Sequence, residues 1–265
     1  MEIGESIAVS IVAGSGDDPC WFCEQKPGPT RTNDEAADPE TNDSESEDAV
    51  PENHEKNDAS KLGANLGNQR TWEIRCPTRQ ADGKVEVQSA AHHCIPGNAS
   101  LKKANKLHRF MRKGGPLNLE SDIGYGVNHR NNGVWLPGNY AVRAGKAHYT
   151  KGWGCYDEDF KDAYAMRAMS ASGVQFHDAH PTYSEKVLET LQQIATKIGQ
   201  PKDKCPICDK KYDKTRPPFG LVGRLDSVSQ QHRAMISTLG RRNGKKFVQA
   251  GYFTSSRVKK FFRLP

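Results

Sequence analysis

The sequence predicts an α+β protein in which a small antiparallel strand pair is combined with several helices. Two observations indicate the strands. Residues 72–96 (WEIRCPTRQADGKVEVQSAAHHCIP) contain two β-prone runs joined by the Asp-Gly pair of ADGK, and VEVQ in the second run alternates apolar and polar residues. A third observation indicates helices, because residues 184–201 (SEKVLETLQQIATKIGQP) place apolar residues at helical spacing. No apolar run approaches the roughly 18 residues that span a bilayer, so no membrane segment is expected.

The remaining elements follow in chain order. The second strand is expected to end just before a pair of adjacent histidines. A helix is predicted over NASLKKANKLHRFMRK, with Asn98 or Ser100 as its N-cap. The stretch LNLESDIGYGVNHRNNGVWLPGN is expected to be loop with a short strand, because it is rich in Gly and Asn. DEDFKDAYAMRAMSA is predicted to be helical, with acids in its first turn. The last of these helices is predicted to start at Ser184 and end at Gly199.

Composition divides the chain into four predicted segments. They are an N-terminal arm (1–29), an acidic disordered linker (30–68), a main domain (69–200) and a basic C-terminal module (201–265). Eleven acidic residues against one lysine lie between Asn33 and Asp58, whereas sixteen Lys and Arg against four Asp lie from Pro201 onward. The acidic tract has too little apolar surface to offset the entropy cost of ordering. The basic module has the charge expected of a surface that meets nucleic acid or an acidic protein.

Two cysteine pairs have the Cys-x-x-Cys spacing of zinc knuckles. Cys20 and Cys23 lie in DPCWFCEQ, and Cys205 and Cys208 lie in DKCPICDK. Four thiolates from two such pairs can hold one tetrahedral zinc ion. The alternative is a disulfide or unconnected surface thiols. The zinc hypothesis predicts a structural clip that joins the N-terminal arm to the basic tail, and folding in a reducing compartment.

Three separated segments carry polar groups of the kind that assemble a hydrolytic metal site. They are AAHHC (His92, His93), HRNNGVWLP (Asn132) and FHDAHPTY (His177, His180). Each segment alone has an ordinary structural interpretation: a surface histidine pair, a tight Asn-Gly turn, or a helix cap with exposed imidazoles. Neighbouring side chains in a strand point to opposite faces, so the two adjacent histidines cannot perform one task in one direction.

Together these motifs, AHHCIP, then NGVWLP, then HxxHPxY before an amphipathic helix, resemble the AHH family of the HNH and endonuclease VII nuclease superfamily. The resemblance implies a ββα-metal (His-Me finger) core with added helices. It implies that His92 lies on the metal side and that His93 is the general base that takes a proton from water. Asn132 would orient the loop beside that base, and His177 and His180 would complete the shell of a catalytic metal ion.

The resemblance covers about residues 85–198 and departs from the family pattern at one place. Many relatives carry HxGxHPxY, with the histidines four positions apart. This chain has HDAH, with the histidines three positions apart and Asp178 between them. The choice of ligand among His177, Asp178 and His180 therefore stays open, and His148 is a further candidate.

The same residues imply the cofactor and the substrate. Two or three imidazoles accept Zn, Ni, Mn or Mg, and we expect Mg or Mn during turnover. The expected substrate is DNA, cut with little sequence preference, and RNA is the alternative. Candidate phosphate contacts in the basic tail are Arg241, Arg242, Lys245, Lys246, Arg257, Lys259 and Lys260.

Members of the resembled family are mostly toxin domains of bacterial contact-dependent or type VI secreted effectors. The resemblance therefore implies an antibacterial toxin that acts in the target-cell cytoplasm. Its implied partners are a cognate immunity protein and a secretion-machine or carrier protein. The start MEIGESIAVSIVAGSGDD lacks the basic n-region of a signal peptide, which fits the delivery route that the resemblance implies. The alternative is a non-enzymatic function. In that case the chain is a zinc-knuckle protein that binds nucleic acid without cutting it, and its histidines are structural.

Overall fold

The described part of the chain combines one small sheet with helices on both of its faces, which confirms the α+β class. The computed structural model describes residues 57–77, 83–112, 123–146, 149–198, 220–239 and 243–264. The strands there are β1 (Thr71–Arg75), β2 (Lys84–His93) and β3 (Gly133–Pro137). The α-helices are α1 (Ala59–Leu66), α2 (Asn105–His108), α3 (Glu158–Ser172), α4 (Pro181–Ile198), α5 (Leu221–Ile236), α6 (Gly244–Gln249) and α7 (Ser256–Phe261). Short 3-10 turns lie at Leu101–Lys103, Arg130–Asn132 and Trp153–Cys155.

The sheet is antiparallel, in the order β1-β2-β3, and β2 is its central and longest strand. The first half of β2 pairs with β1, as the Asp-Gly signal predicts, with Lys84 opposite Arg75. Its second half pairs with β3, with His93 opposite Gly133. The expectation that the two histidines lie just past the strand is wrong, because pairing with β3 extends β2 through His93.

The two faces of the sheet contact different helices. On one face, Gly63 of α1 lies so close to the sheet that a Cβ atom there would be 3.2 Å from Trp135 and 3.8 Å from Ala91. Ala91 and Trp135 are cross-strand partners and therefore share this face. The opposite face carries Leu136, which belongs to the main apolar cluster with residues of α4 and α5. Adjacent residues of β2 consequently contact different parts of the molecule.

Helix α1 (Ala59–Leu66) forms where the sequence predicted a disordered linker (30–68), so the end of that linker was predicted wrongly. Asp58 caps the helix, and Leu62 is buried against Gly133 of the sheet.

Two predicted helices form and one is replaced. The predicted helix α3 forms, with the side chain of Asp157 accepting a hydrogen bond from Phe160 N at its start. Helix α4 also forms, but it begins at Pro181 and not at Ser184, because proline suits the first turn, where a backbone N–H has no helical partner. The predicted end at Gly199 lies outside the described residues.

The predicted helix that starts near residue 98 is replaced by the 3-10 turn and the four-residue α2. Its proposed N-cap, Ser100, makes no capping hydrogen bond, and its hydroxyl instead donates to Ser184 O at 2.7 Å. Ala104 then leaves helical geometry, with ψ of 57°. A tertiary contact with α4 has thus overridden the local helical pattern.

Two apolar clusters form the core, and the described C-terminal helices contribute to both. Leu221 and Leu225 of α5 join Val187 and Leu191 of α4 in the first cluster. Val258 of α7 joins the second, which lies between β1, β2 and α3. The predicted segment boundary at residue 200 lies outside the described residues, but helices on both sides of it share one core. Within the described ranges, no helix has the length and apolarity that crossing a membrane requires.

Candidate active site

Three imidazoles meet where β2 ends and α4 begins. His92 is the second-last residue of β2, His180 immediately precedes α4, and His177 lies three positions earlier in the same loop. The ring centroid of His92 lies 5.1 Å from that of His177 and 4.9 Å from that of His180. The centroids of His177 and His180 are 5.3 Å apart. One ring nitrogen from each lies within 4.8 Å of the other two. The structure thus brings together the three histidines that the sequence predicts as metal ligands.

Burial keeps this cluster uncharged. It lowers the pKa of His92 well below the ordinary value, and repulsion from His177 and His180 lowers it further. Burial, followed by repulsion from His180, brings the pKa of His177 down to about 3. The pKa of His180 is lowered mainly by burial as well. All three imidazoles are therefore neutral near pH 7, which is the form of histidine that binds metal ions.

The same three residues fit a divalent ion. His92 Nε2 is buried and has no hydrogen-bond partner among the described residues. A buried polar atom without a partner is costly, and such an atom in a native site calls for an explanation such as a bound ion. Three neutral nitrogen donors suit Zn, Ni or Mn, and the ligand type alone does not select among them. This cluster can therefore hold a divalent ion.

Asp178, between the two loop histidines, points away from the cluster. Its carboxylate accepts a hydrogen bond from Arg257 of α7 at 3.2 Å, and its backbone N–H donates to Thr254 O at 2.9 Å. Arg257 is also paired with Glu158 at 2.5 Å and with Asp162 at 3.3 Å. Asp178 is therefore part of an ion-pair network that fastens the loop to α7 and α3. This leaves His177 and His180 as the loop's ligand candidates.

His93 is directed toward α1, on the sheet face opposite to His92. It is 5% exposed, and its Nε2 lies 2.8 Å from Asn128 Oδ1. Burial is the largest effect on the pKa of His93 and lowers it. The hydrogen bond to Asn128 and the charge of Asp58 raise this pKa by a smaller amount. Repulsion from His93 contributes to the low pKa of His177, so the base candidate lies within electrostatic reach of the cluster. The predicted divergence of the two adjacent histidines is confirmed.

Asn132 fixes the backbone that follows the histidine pair. Its side chain is completely buried, accepts from Ile95 N at 2.7 Å and from Ser229 Oγ at 2.9 Å, and donates to Ile95 O at 2.9 Å and Val127 O at 2.8 Å. With all four hydrogen-bonding positions used, Asn132 orients the loop and takes no part in proton transfer.

Cys94, directly after the histidine pair, is held by two further side chains. Its carbonyl oxygen accepts from Tyr183 Oη at 2.7 Å and from His232 Nδ1 at 3.2 Å. Burial raises the pKa of the Cys94 thiol to about 12, so this cysteine carries no thiolate near neutral pH. Residues of α4 and α5 thus hold the carbonyl that follows His93.

Several predicted site residues lie outside the described part of the chain. They are the four zinc-knuckle cysteines Cys20, Cys23, Cys205 and Cys208, the candidate ligand His148, and the basic residues Arg241 and Arg242. The zinc clip and these contacts stay predictions. Lys245 and Lys246 are exposed on α6, as a phosphate contact requires. Arg257, in contrast, is buried among carboxylates, and Lys260 is paired with Asp162 at 2.5 Å.

The sequence did not indicate four residues that support the site: Asn128, Ser229, His232 and Arg257 in its ion-pair role. None of them stands in a recognisable motif, and each acts on a segment distant in the chain. Asn128 lies only four positions before Asn132 in an Asn-rich stretch, and that proximity is the one signal that could have drawn attention to it.

Comparison with known proteins agrees with this geometry. Residues 78–212, half of the chain, match the model of the AHH family, described as a nuclease family of the HNH/ENDO VII superfamily with conserved AHH. The AHH residues of this chain are Ala91, His92 and His93. No curated protein and no solved structure matches the chain.

Proposed function

The chain belongs to the AHH family of nucleases in the HNH/ENDO VII superfamily, and from this membership we propose that it is a metal-dependent endonuclease that hydrolyses DNA with little sequence specificity. The single observation that best supports this proposal is the histidine arrangement. Three neutral imidazoles converge within 4.8 Å, and a fourth follows at the next strand position.

In the proposed reaction, His92, His177 and His180 hold a divalent ion, and the three nitrogen donors favour Zn, Ni or Mn over Mg, which prefers oxygen ligands. Such an ion, when bound, supplies positive charge that binds the phosphate and stabilises the leaving oxygen. His93 takes the proton from the attacking water, a task that suits an imidazole that is neutral at pH 7. Asn132 keeps the loop beside this base in place. Lys245, Lys246 and the neighbouring Arg241 and Arg242 are proposed to contact phosphates.

The proposed biological role is that of an antibacterial toxin. It rests on the resemblance to secreted effector nucleases. A cognate immunity protein that covers the site, a secretion-machine or carrier partner, and action in the target-cell cytoplasm belong to the same proposal. Co-expression with the product of a neighbouring open reading frame, followed by a growth assay, would test it. Growth arrest by the nuclease alone that persists in a His93→Ala variant would contradict a toxin that acts by cutting nucleic acid.

The decisive experiment is a plasmid assay with Mg, Mn, Zn or Ni supplied in turn. The wild-type protein should cut the plasmid, and His93→Ala should remove cutting while fold and metal binding stay nearly unchanged. His108→Ala is the matched control, because His108 lies on α2, its ring bonds the carbonyl of Leu101, and it is not one of the three clustered histidines. A protein that retards the plasmid but leaves it intact would instead be the zinc-knuckle binder. Digestion of DNA and RNA side by side separates the two nuclease classes.

Metal binding has its own measurement. His180→Ala should weaken the affinity for a divalent ion, as followed by titration calorimetry, because one of three nitrogen donors is lost. Asp178→Asn should leave this affinity nearly unchanged, since the Asp178 carboxylate faces Arg257. The opposite ranking of the two variants would show that the ligand set is assigned wrongly.

A further inference from the structure

The general base candidate His93 is held by Asn128, a side chain outside the segments AHHCIP, NGVWLP and HDAHPTY. Asn128 Oδ1 lies 2.8 Å from His93 Nε2, and the same oxygen accepts a hydrogen bond from the backbone N–H of Asp58 at 3.0 Å. Asn128 is half-buried and lies on the loop before β3. The contact reaches across 35 positions of sequence, so it forms only in the folded protein.

These two contacts determine which ring nitrogen of His93 carries the proton. A backbone N–H can only donate, so the Asn128 atom that faces Asp58 N must be the carbonyl oxygen and not the amide nitrogen. That oxygen can only accept, so His93 Nε2 must donate to it and must carry the hydrogen. In a neutral imidazole the lone pair then resides on Nδ1, which is the atom able to take a proton from water.

Helix α1 holds Asn128 from its other side. The side chain of Asn65 donates to Asn128 O at 2.8 Å, near the end of the helix. The Asp58 carboxylate accepts from Ser60 N and Lys61 N at the start of the helix, and thereby fixes the Asp58 backbone that meets Asn128. Both ends of α1 therefore contact one asparagine.

The same helix also packs against the strand pair beside the base. Leu62 of α1 is completely buried, and its Cδ1 would lie 2.5 Å from a Cβ atom at Gly133, the cross-strand partner of His93. The whole of α1 precedes residues 78–212, which match the nuclease family. A helix outside the region that matches the family thus packs against the residues next to His93.

We propose that Asn128 is a positioning residue that fixes the ring orientation and the Nε2–H tautomer of His93, and that helix α1 holds Asn128 in place for this purpose. The proposal rests on the proposed nuclease function for its kinetic consequence, but the tautomer itself does not depend on catalysis. An imidazole without this acceptor could rotate, or could place its proton on the nitrogen that must receive one. A base with the wrong tautomer or orientation lowers the rate of the chemical step and leaves substrate binding unchanged.

Kinetics of three variants test the positioning role. Asn128→Ala should lower kcat by roughly 10- to 100-fold while KM stays within about twofold, because a displaced base affects the chemical step. Asn128→Asp keeps an oxygen that can accept from both His93 Nε2 and Asp58 N, so it should retain most of the wild-type kcat. Asn105→Ala, a change of the same kind at an exposed position of α2, is the control and should leave both constants unchanged. A wild-type kcat in Asn128→Ala would overturn the proposal.

A spectroscopic measurement makes the test independent of nuclease activity and of folding losses. Imidazole nitrogen chemical shifts of His93, recorded without metal and substrate, should show the Nε2–H tautomer in the wild-type protein and in Asn128→Asp. In Asn128→Ala they should show a mixture of tautomers. A wild-type His93 protonated on Nδ1 would overturn the proposal even if the protein cuts DNA. If the wild-type protein does not cut, the proposed function fails, and the chemical shifts alone decide the role of Asn128.

If Asn128→Ala does not fold, Asn65→Ala removes only the hydrogen bond from α1 to Asn128 O. This milder variant should lower kcat by a few fold at unchanged KM, because Asn128 loses one of its anchors and holds His93 less firmly. Unchanged kcat in Asn65→Ala, with the variant folded, would overturn the role assigned to α1.

Discussion

Replacement of Asn132 by alanine tests how the loop after the histidine pair is held. The wild-type side chain is completely buried and takes part in four hydrogen bonds, two as acceptor and two as donor. Three of its partners are backbone groups: Ile95 N, Ile95 O and Val127 O. Alanine removes the side-chain amide, so these buried backbone groups lose the hydrogen-bond partner that it supplied.

The expected loss follows from counting these groups. A hydrogen bond contributes about 1 kcal/mol net, and a buried donor or acceptor left without a partner costs about 1–3 kcal/mol. With partial relaxation of Ser229, which can rotate its hydroxyl, we expect Asn132→Ala to lower the free energy of unfolding by about 3–5 kcal/mol. In a domain of this size such a loss lowers the Tm by roughly 10 °C.

Urea unfolding followed by circular dichroism measures this change. Asn105→Ala, at an exposed position of α2, is the control and should change the free energy of unfolding by less than about 0.5 kcal/mol. Asn132→Asp separates hydrogen bonding from packing, because aspartate has nearly the same volume but cannot donate to the two carbonyl groups when ionised. It should be at least as destabilising as alanine at neutral pH. A loss below about 1 kcal/mol in both Asn132 variants would refute the role assigned to this network.

Three further changes have defined outcomes. Gly133→Ala should cost about 1–3 kcal/mol of stability, because its Cβ would lie 2.5 Å from Leu62 Cδ1; in a Leu62→Ala background this cost should nearly vanish, and an equal cost in both backgrounds by thermal unfolding would exclude the clash. Burial lowers the pKa of His232 to about 4 from an ordinary value of 6.5, so only the unfolded chain binds this proton between those pH values. The contribution of His232 to stability should therefore be complete above pH 6.5 and fall by about 3 kcal/mol toward pH 4, in addition to the losses from the other buried histidines; His232→Gln, which keeps a donor, should make the slope less steep, and an unchanged slope would show that His232 does not contribute to it. The double change Cys205→Ser, Cys208→Ser should release about one zinc ion per chain; full zinc retention by elemental analysis would contradict the clip.

Local patterns in the sequence were sufficient to predict that β2 and α4 exist, although not where β2 ends or where α4 begins. Alternation in VEVQ predicted β2, and the spacing of Val187, Leu191 and Ile194 predicted α4, because periodic burial on one face is a property of a single segment. The start of α4 was misplaced by three residues. The helix predicted near Ser100 was wrong for a different reason, since its hydroxyl found a partner on α4 that no local pattern contains.

The ligand set was only partly accessible to sequence reasoning. The resemblance predicted that His92, His177 and His180 lie together as candidate ligands, but the choice among His177, Asp178 and His180 stayed open. It depended on Arg257, which lies 79 positions after Asp178 and draws its carboxylate away from the cluster. Asn128 was not predicted at all, since nothing in its own segment indicates that it meets His93.

The sequence by itself determined the first half of β2, the helix that follows the histidine loop, and the opposite directions that two adjacent strand residues must take. These features depend only on backbone periodicity, which neighbouring residues specify. Only the tertiary structure decided that β3 extends β2 through the histidine pair, that the Asp178 side chain pairs with Arg257 apart from the histidine cluster, and that the ring of His93 meets Asn128. Those outcomes depend on hydrogen bonds between segments 35 to 79 positions apart, and such pairings exist only once the chain has folded.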